Sequence, residues 1–202
     1  MTEEEKSTEK IILDAAKKVF LIKGFDGARM QEIADEAKIN KSLVHYYFRS
    51  KDKLFDAIFA EAFSQFIPKV AQTMASDKDI FEKITIFIDT YIEMFINNPH
   101  LPSFILHEIN RNPNKIVDLF IENRINPSQL IETFVEENNK GNIKPIDPLH
   151  LIINMISLCV FPFAAKPILK GFLFKNNEKM YEQFIGERKK EVTQFIIRSI
   201  KN

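Results

Sequence analysis

Apolar residues recur at three- and four-residue spacing along almost the whole chain, and apolar–polar alternation bounded by Gly or Asn turns is scarce. That pattern predicts an all-α protein. Ile12, Ala15, Ala16, Val19 and Phe20 stripe a first helix that Gly24 closes, and Met30, Ile33, Ala34 and Ala37 stripe a second, shorter one. After the residues "KIN", Asn40 can cap a third helix with Val44 and Phe48 on one face. Ser50 can cap a fourth, with Asp52 in the first turn, where the helix dipole favours a negative charge; it runs beyond Ala60 towards Pro68.

Downstream, "DIFEKITIFIDTYIEMFINNP" predicts a long helix stopped before Pro99, followed by a shorter one from about Leu101 to Asn110. Pro113 to Asn139 reads as helical with a break at "INPSQ", and "NKGNIKPIDP" is the clearest loop. Two last helices fit Leu149 to Ala165 and Asn177 to Ile200. No linker rich in Gly, Ser or Pro follows the first helices. The fourth helix is therefore expected to join an N-terminal domain, residues 1–52, to a larger helical domain, residues 53–202.

Helix, short turn, helix, with Ile33, Ala34, Ile39, Val44 and Phe48 inward, is the pattern of a helix-turn-helix. Lys41, Ser42, His45 and Tyr46 then project from the opposite side, with Leu43 and Tyr47 on the flanks. Such a face suits a DNA major groove. Charge strengthens the reading only locally. The whole chain balances 28 Lys and Arg against 28 Asp and Glu, but Lys38, Lys41, Arg49, Lys51 and Lys53 face the single acid Asp52, a net of +4. Lys51 stands at the start of the fourth helix, where unpaired N–H groups also favour a phosphate.

The stretch "AAKKVFLIKGFDGARMQEIADEAKINKSLVHYYFRSKDKLF" resembles the DNA-binding domain of the tetracycline-repressor (TetR) family of bacterial regulators. It follows that family's order of aliphatic helix, Gly-aromatic, "IA..A" and "YYF..K..L", over about Ile11 to Phe59. The resemblance implies DNA contacts at Gln31, Lys41, Ser42, Leu43, His45, Tyr46, Tyr47 and Lys51. Arg29 departs from the pattern, standing where the family often has a capping Ser or Thr, which costs about 1 kcal/mol. Lys38 and Ser42 stand where Gly is common, and His45 where Tyr is common, so no other member's operator is carried over.

A reader of this size is expected to work as a homodimer, its two recognition helices about 34–36 Å apart on a palindromic operator. Tyr181, Phe184, Ile185, Val192, Phe195 and Ile196 stripe the last helix, and Leu149 to Ala165 is apolar nearly all round. The resemblance puts these two helices in a four-helix interface. It also implies an interior pocket for a small inducer. Nineteen Phe and no Trp make that inducer hydrophobic or amphipathic. Phe63, Phe66, Tyr91, Met94, Phe95, Phe104, His107, Phe134 and Met155 are the expected lining, with Asn154 as a further polar contact.

No catalytic constellation emerges, so an enzyme is not expected. His45, His100, His107 and His150 show no metal-ligand spacing, and the five scattered glycines form no phosphate-cradling loop. No cofactor or metal is expected. The single cysteine, Cys159, fits a reducing compartment, and "MTEEEK" lacks the apolar core of a secretory signal. "LIINMISLCVFPFAA" falls short of the roughly 20 residues that span a membrane. A cytoplasmic, ligand-responsive transcriptional repressor is the expectation. The alternative is a DNA-binding protein of the same fold controlled by a protein partner or acting architecturally, without a small ligand.

Overall fold

The described residues fold into helices and connecting turns. The computed structural model describes residues 3–111, 113–122 and 126–202, without the side chains of residues 3–4, 65, 107–108 and 111. The helices are α1 (Glu3–Gly27), α2 (Met30–Ala37), α3 (Lys41–Tyr47), α4 (Lys51–Met74), α5 (Ile80–Asn97) and α6 (Leu101–Arg111). They continue with α7 (Pro113–Glu122), α8 (Ser128–Lys140), α9 (Pro148–Ala164), α10 (Lys166–Ile168), a π-helical turn (Leu169–Leu173) and α11 (Glu178–Ile200). No strand occurs among the described residues.

Two compact units divide the chain: Met1–Ser64 with Asn98–Asn123, and Gln65–Asn97 with Arg124–Asn202. In the first, Phe20, Phe55, Phe59 and Phe104 are almost completely buried beside Ile12, Ile33, Leu54 and Ile58. Their rings interlock. Phe104 meets Phe20 edge to face at 5.1 Å between centroids, and Phe25 meets Phe55 the same way at 5.8 Å. Each fully buried apolar side chain of this size contributes about 1.5–3 kcal/mol. From α7, Lys115 pairs with Asp52 at 3.4 Å and Asp56 at 3.1 Å while lying 4.8 Å over the Phe55 ring, which fastens the first turns of α4.

The second unit centres on α5, whose Ile84, Phe87, Ile88, Ile92 and Phe95 are buried, facing α9 and α11. Asp147 caps α9 by accepting from the Leu149 amide at 2.8 Å, and Asn177 caps α11 through the Met180 amide at 3.2 Å. Near the other end of α9, the Tyr181 hydroxyl donates to the Pro162 carbonyl at 3.1 Å, and burial pushes that phenol up to about 12. Arg188 donates to the Leu158 carbonyl at 3.1 Å, a second tie between α9 and α11.

Sequence periodicity did not anticipate the segment between α9 and α11. Pro167 follows α9 closely, and the chain turns through α10 and the π turn with Ile168, Phe172 and Leu173 exposed. Lys166 and Lys170 both pair with Glu178 there. No single described helix is long and apolar enough to cross a membrane.

Candidate nucleic-acid interface

The reader is assembled from three local decisions in the chain. Gly24 adopts φ 70° and ψ 173°, breaking the α1 backbone so that it can turn towards α2. Lys38 ends α2 in the left-handed region at φ 57° and ψ 38°, its amide returning to the Asp35 carbonyl at 3.2 Å. Asn40 then starts α3, its side-chain oxygen accepting from the Leu43 amide at 2.7 Å.

Arg29 occupies the position that caps α2, with extended backbone angles but no acceptor on its guanidinium. The cap is supplied from the opposite direction. Glu32 accepts from the Arg29 amide at 3.1 Å and from Lys23 of α1 at 2.7 Å. Lys23 first, and the Arg29 amide second, hold the Glu32 carboxyl below the usual range. Lys18 and Glu36 add a second exposed bridge between α1 and α2 at 3.0 Å. The sequence signal for this arrangement was the Glu three residues into α2, the reciprocal half of a capping box.

Val44 and Phe48 are buried, which fixes the roll of α3 and turns its other side outward. Lys41, Ser42 and His45 are exposed, and Tyr46 is 75% exposed. Leu43 and Tyr47 are half-buried at the edges. The His45 ring nitrogen Nδ1 lies 3.4 Å from the Arg49 carbonyl oxygen. Gln31, exposed on α2, donates to Asp35 at 2.8 Å. Gln31, Lys41, Ser42, His45 and Tyr46 are thus open to solvent in the first unit. Lys51 is turned differently: its ammonium donates to the carbonyls of Asp26 and Ala28, both at 3.2 Å.

The residues expected to line an inducer pocket are shared between the two units. Phe63 stacks on Phe59 at 4.4 Å and Phe104 meets His100 at 5.3 Å, all within the first unit. In the second unit Phe66, Tyr91 and Phe95 form a ring chain with steps of 5.1 and 5.3 Å, and Met94, Phe134 and Met155 are buried. Burial pushes the Tyr91 phenol up, with Cys159 nearby adding to the shift. Asn154 is exposed on α9 and faces solvent, contrary to expectation, because α9 rolls Leu151, Met155 and Cys159 inward. The His107 side chain lies outside the described residues.

A cavity of about 180 Å³ does occur in the second unit, lined by Phe66, Ile67, Val70, Ala71, Met74 and Leu130 with the amides Asn126 and Gln129. Phe66 is the expected lining residue that borders it. Among the described residues no group of three or more His, Cys, Asp or Glu could hold a metal ion.

Residues 12–58 match the family model described as "Bacterial regulatory proteins, tetR family". Over 179 residues the chain is 24% identical to "Probable HTH-type transcriptional regulator YttP" of Bacillus subtilis (strain 168), covering 87% of this chain and 86% of that protein. It is 32% identical over 100 residues to "HTH-type transcriptional repressor NicS" of Pseudomonas putida, covering 48% of this chain and 46% of that one. Among solved structures, the fatty acid degradation regulator FadR from Bacillus halodurans has the same fold, with a TM-score of 0.68, 19% identity and 93% of both chains covered. The matched residues, 12–58, are those that build the capped helix-turn-helix, and over them the chain is similar to the DNA-binding region of the tetR family of bacterial regulatory proteins.

Proposed function

We propose that the chain is a repressor that binds a palindromic operator as a homodimer and is released by a small hydrophobic or amphipathic effector. The outward face of α3 carries the DNA part of this reading: Lys41, Ser42, His45 and Tyr46 stand exposed on a helix whose roll is set by buried Val44. Lys41 and Ser42, in the first turn, would reach base edges, with Leu43, Tyr46 and Tyr47 spanning towards the sugar-phosphate wall. Gln31 would meet the backbone from α2. That NicS is named a repressor supports repression here.

The dimer part is supported by an unpartnered apolar stripe. Leu149, Ile153 and Phe161 share one face of α9 at multiples of four residues, and Ile153 and Phe161 are each 60% exposed. Phe195 on α11 is 63% exposed. A second copy burying these faces would join two readers in one molecule, as a palindromic operator requires.

The effector part is supported by the aromatic chain of the second unit and the cavity beside Phe66. An effector that releases DNA must prefer the released state; moving the population from 1:99 to 99:1 takes roughly 5.5 kcal/mol of differential affinity. A second reading, control by a protein partner without a small ligand, is favoured by the size of the cavity beside Phe66. At about 180 Å³ the cavity is smaller than the 300–1,000 Å³ usual for ligand sites.

Selection of genomic fragments by the purified protein tests the proposal. Enrichment of fragments sharing an inverted repeat, with half-sites one helical turn apart, is the expected result. Recovery of no enriched sequence overturns it. Titrating the selected duplex complex with hydrophobic and amphipathic compounds then separates the two readings: release by a compound supports the first, and no release by any of them the second.

A further inference from the structure

Lys51 opens α4 directly after the reader, and its side chain folds back onto the protein. The ammonium donates to the Asp26 and Ala28 carbonyls, both at 3.2 Å, and lies 4.6 Å from the centroid of the Phe25 ring. All of these contacts fall in or beside the turn that joins α1 to α2. Chain separations of 25 and 23 residues make this a tertiary clamp, not a local one.

The Ala28 carbonyl and the Arg29 amide belong to a single peptide unit. Lys51 holds one side of it, and Glu32 holds the other by accepting from the Arg29 amide at 3.1 Å. Hydrogen bonds at both ends of one peptide polarise and strengthen each other. The orientation of that peptide sets where α2 begins. α2 presents Gln31 and leads through Lys38 into α3, so the direction of the whole reading surface depends on it. Two of the three ammonium donors are occupied in this way.

We propose that Lys51 is a positioning residue of the DNA reader, its ammonium tying the first turn of α4 to the α1–α2 turn and so aiming α2 and α3, instead of spending its charge on a DNA phosphate. The inference rests on the DNA-binding reading above. A phosphate contact would require the ammonium to leave two carbonyls and an aromatic face.

Lys51→Met keeps the apolar stem and removes the donors, while Lys51→Arg keeps donors that can reach both carbonyls. Each full-length variant is titrated by fluorescence anisotropy, over a salt series, with the duplex that the wild-type protein selects and with a random duplex of about 30 base pairs. Hydrogen exchange of the Arg29 amide is followed without DNA. For Lys51→Met the expected result is about tenfold weaker binding to the selected duplex, with the random duplex changed less than about twofold. The slope of log K against log salt stays unchanged, and Arg29 exchange accelerates about tenfold. Lys51→Arg restores all of these.

A slope reduced by about 0.9, with equal weakening on both duplexes and unchanged exchange, identifies a phosphate contact and overturns the proposal. If the wild-type chain binds neither duplex, the DNA-binding reading fails on its own. The exchange measurement then still decides the clamp, because unaltered Arg29 exchange in Lys51→Met removes it.

Discussion

Tyr46 and Tyr47 meet edge to face on α3, ring centroids 5.4 Å apart and planes at 86°. Adjacent residues on a helix point about 100° apart, so one ring stands 75% exposed while the other lies half-buried against the body of the domain. The half-buried ring braces the exposed one. Tyr46→Ala is expected to weaken binding to the selected duplex about tenfold, the size of one lost contact, with an unfolding midpoint within about 0.5 kcal/mol of wild type. Tyr46→Phe keeps the brace and tests the hydroxyl alone. Gel-shift titration beside urea unfolding measures both; an unchanged duplex affinity in Tyr46→Ala places the reading surface elsewhere.

The second prediction concerns Lys38, which holds a left-handed backbone at φ 57° where a glycine would sit without strain. An L-residue in this region costs about 1–2 kcal/mol, and glycine gives back part of the gain through its freer unfolded chain. Lys38→Gly is therefore expected to stabilise the protein by about 0.5–1 kcal/mol, and Lys38→Ala to leave it near wild type. Urea midpoints read at constant m-value report the difference. A destabilised Lys38→Gly would mean that the lysine side chain carries more than its backbone costs.

The helices and their caps were legible because their signals are local. Asn40 precedes an apolar run and caps α3, and Ser50 likewise accepts from the Lys53 amide at 3.2 Å. The Lys51 clamp was not legible. Its acceptors are backbone carbonyls, which every residue type offers, and they lie more than twenty positions back along the chain. The packing partners of the expected pocket residues were not legible for a different reason: helical spacing says that Phe63, Phe66 and Phe104 are buried but not against what. Phe63 stacks on Phe59, whereas Phe104 meets Phe20 and Phe66 meets Tyr91 edge to face. Exposed Phe172 and Ile168 mislead the same rule, since an apolar run containing Pro167 carries no marker of which face is open.

Cys159 offers a third test. It is fully buried in α9 between Met155 and Pro162, and burial pushes its thiol up to about 12, against a weaker opposing pull from Arg188. Thiolate is the reacting species, so both access and ionisation are suppressed. A thiol-specific disulfide reagent is expected to label the folded protein at a rate set by unfolding, and to label it at once in denaturant. Rapid stoichiometric labelling of the native protein at neutral pH would contradict the packing of α9.

The last prediction turns on His100, a polar side chain just 3% exposed in the first unit, packed against Phe104 with its Nε2 atom buried and unpartnered. Desolvation chiefly, and the nearby Lys17 charge secondarily, lower its pKa from 6.5 to about 4. Lys17 is itself engaged by Asp14 at 3.4 Å and Glu61 at 2.7 Å, which places the cationic end of that cluster near the imidazole. The folded state therefore holds His100 neutral, while the unfolded chain takes up a proton below about pH 6.5. Between those two values the unfolded state binds more protons, so stability rises with pH through the window and is complete above it. Full traverse of the window removes about 3 kcal/mol. Glu32, Glu93, Glu137 and Glu178 have pKa values lowered below 4.5, so their losses begin at lower pH and leave the upper part of the window to His100. Urea unfolding at intervals from pH 7 to about 5 should show this decline. It should flatten in His100→Leu, which has comparable volume and no proton to bind. Equal slopes in the two proteins would mean that the imidazole reaches water or a partner when it is charged.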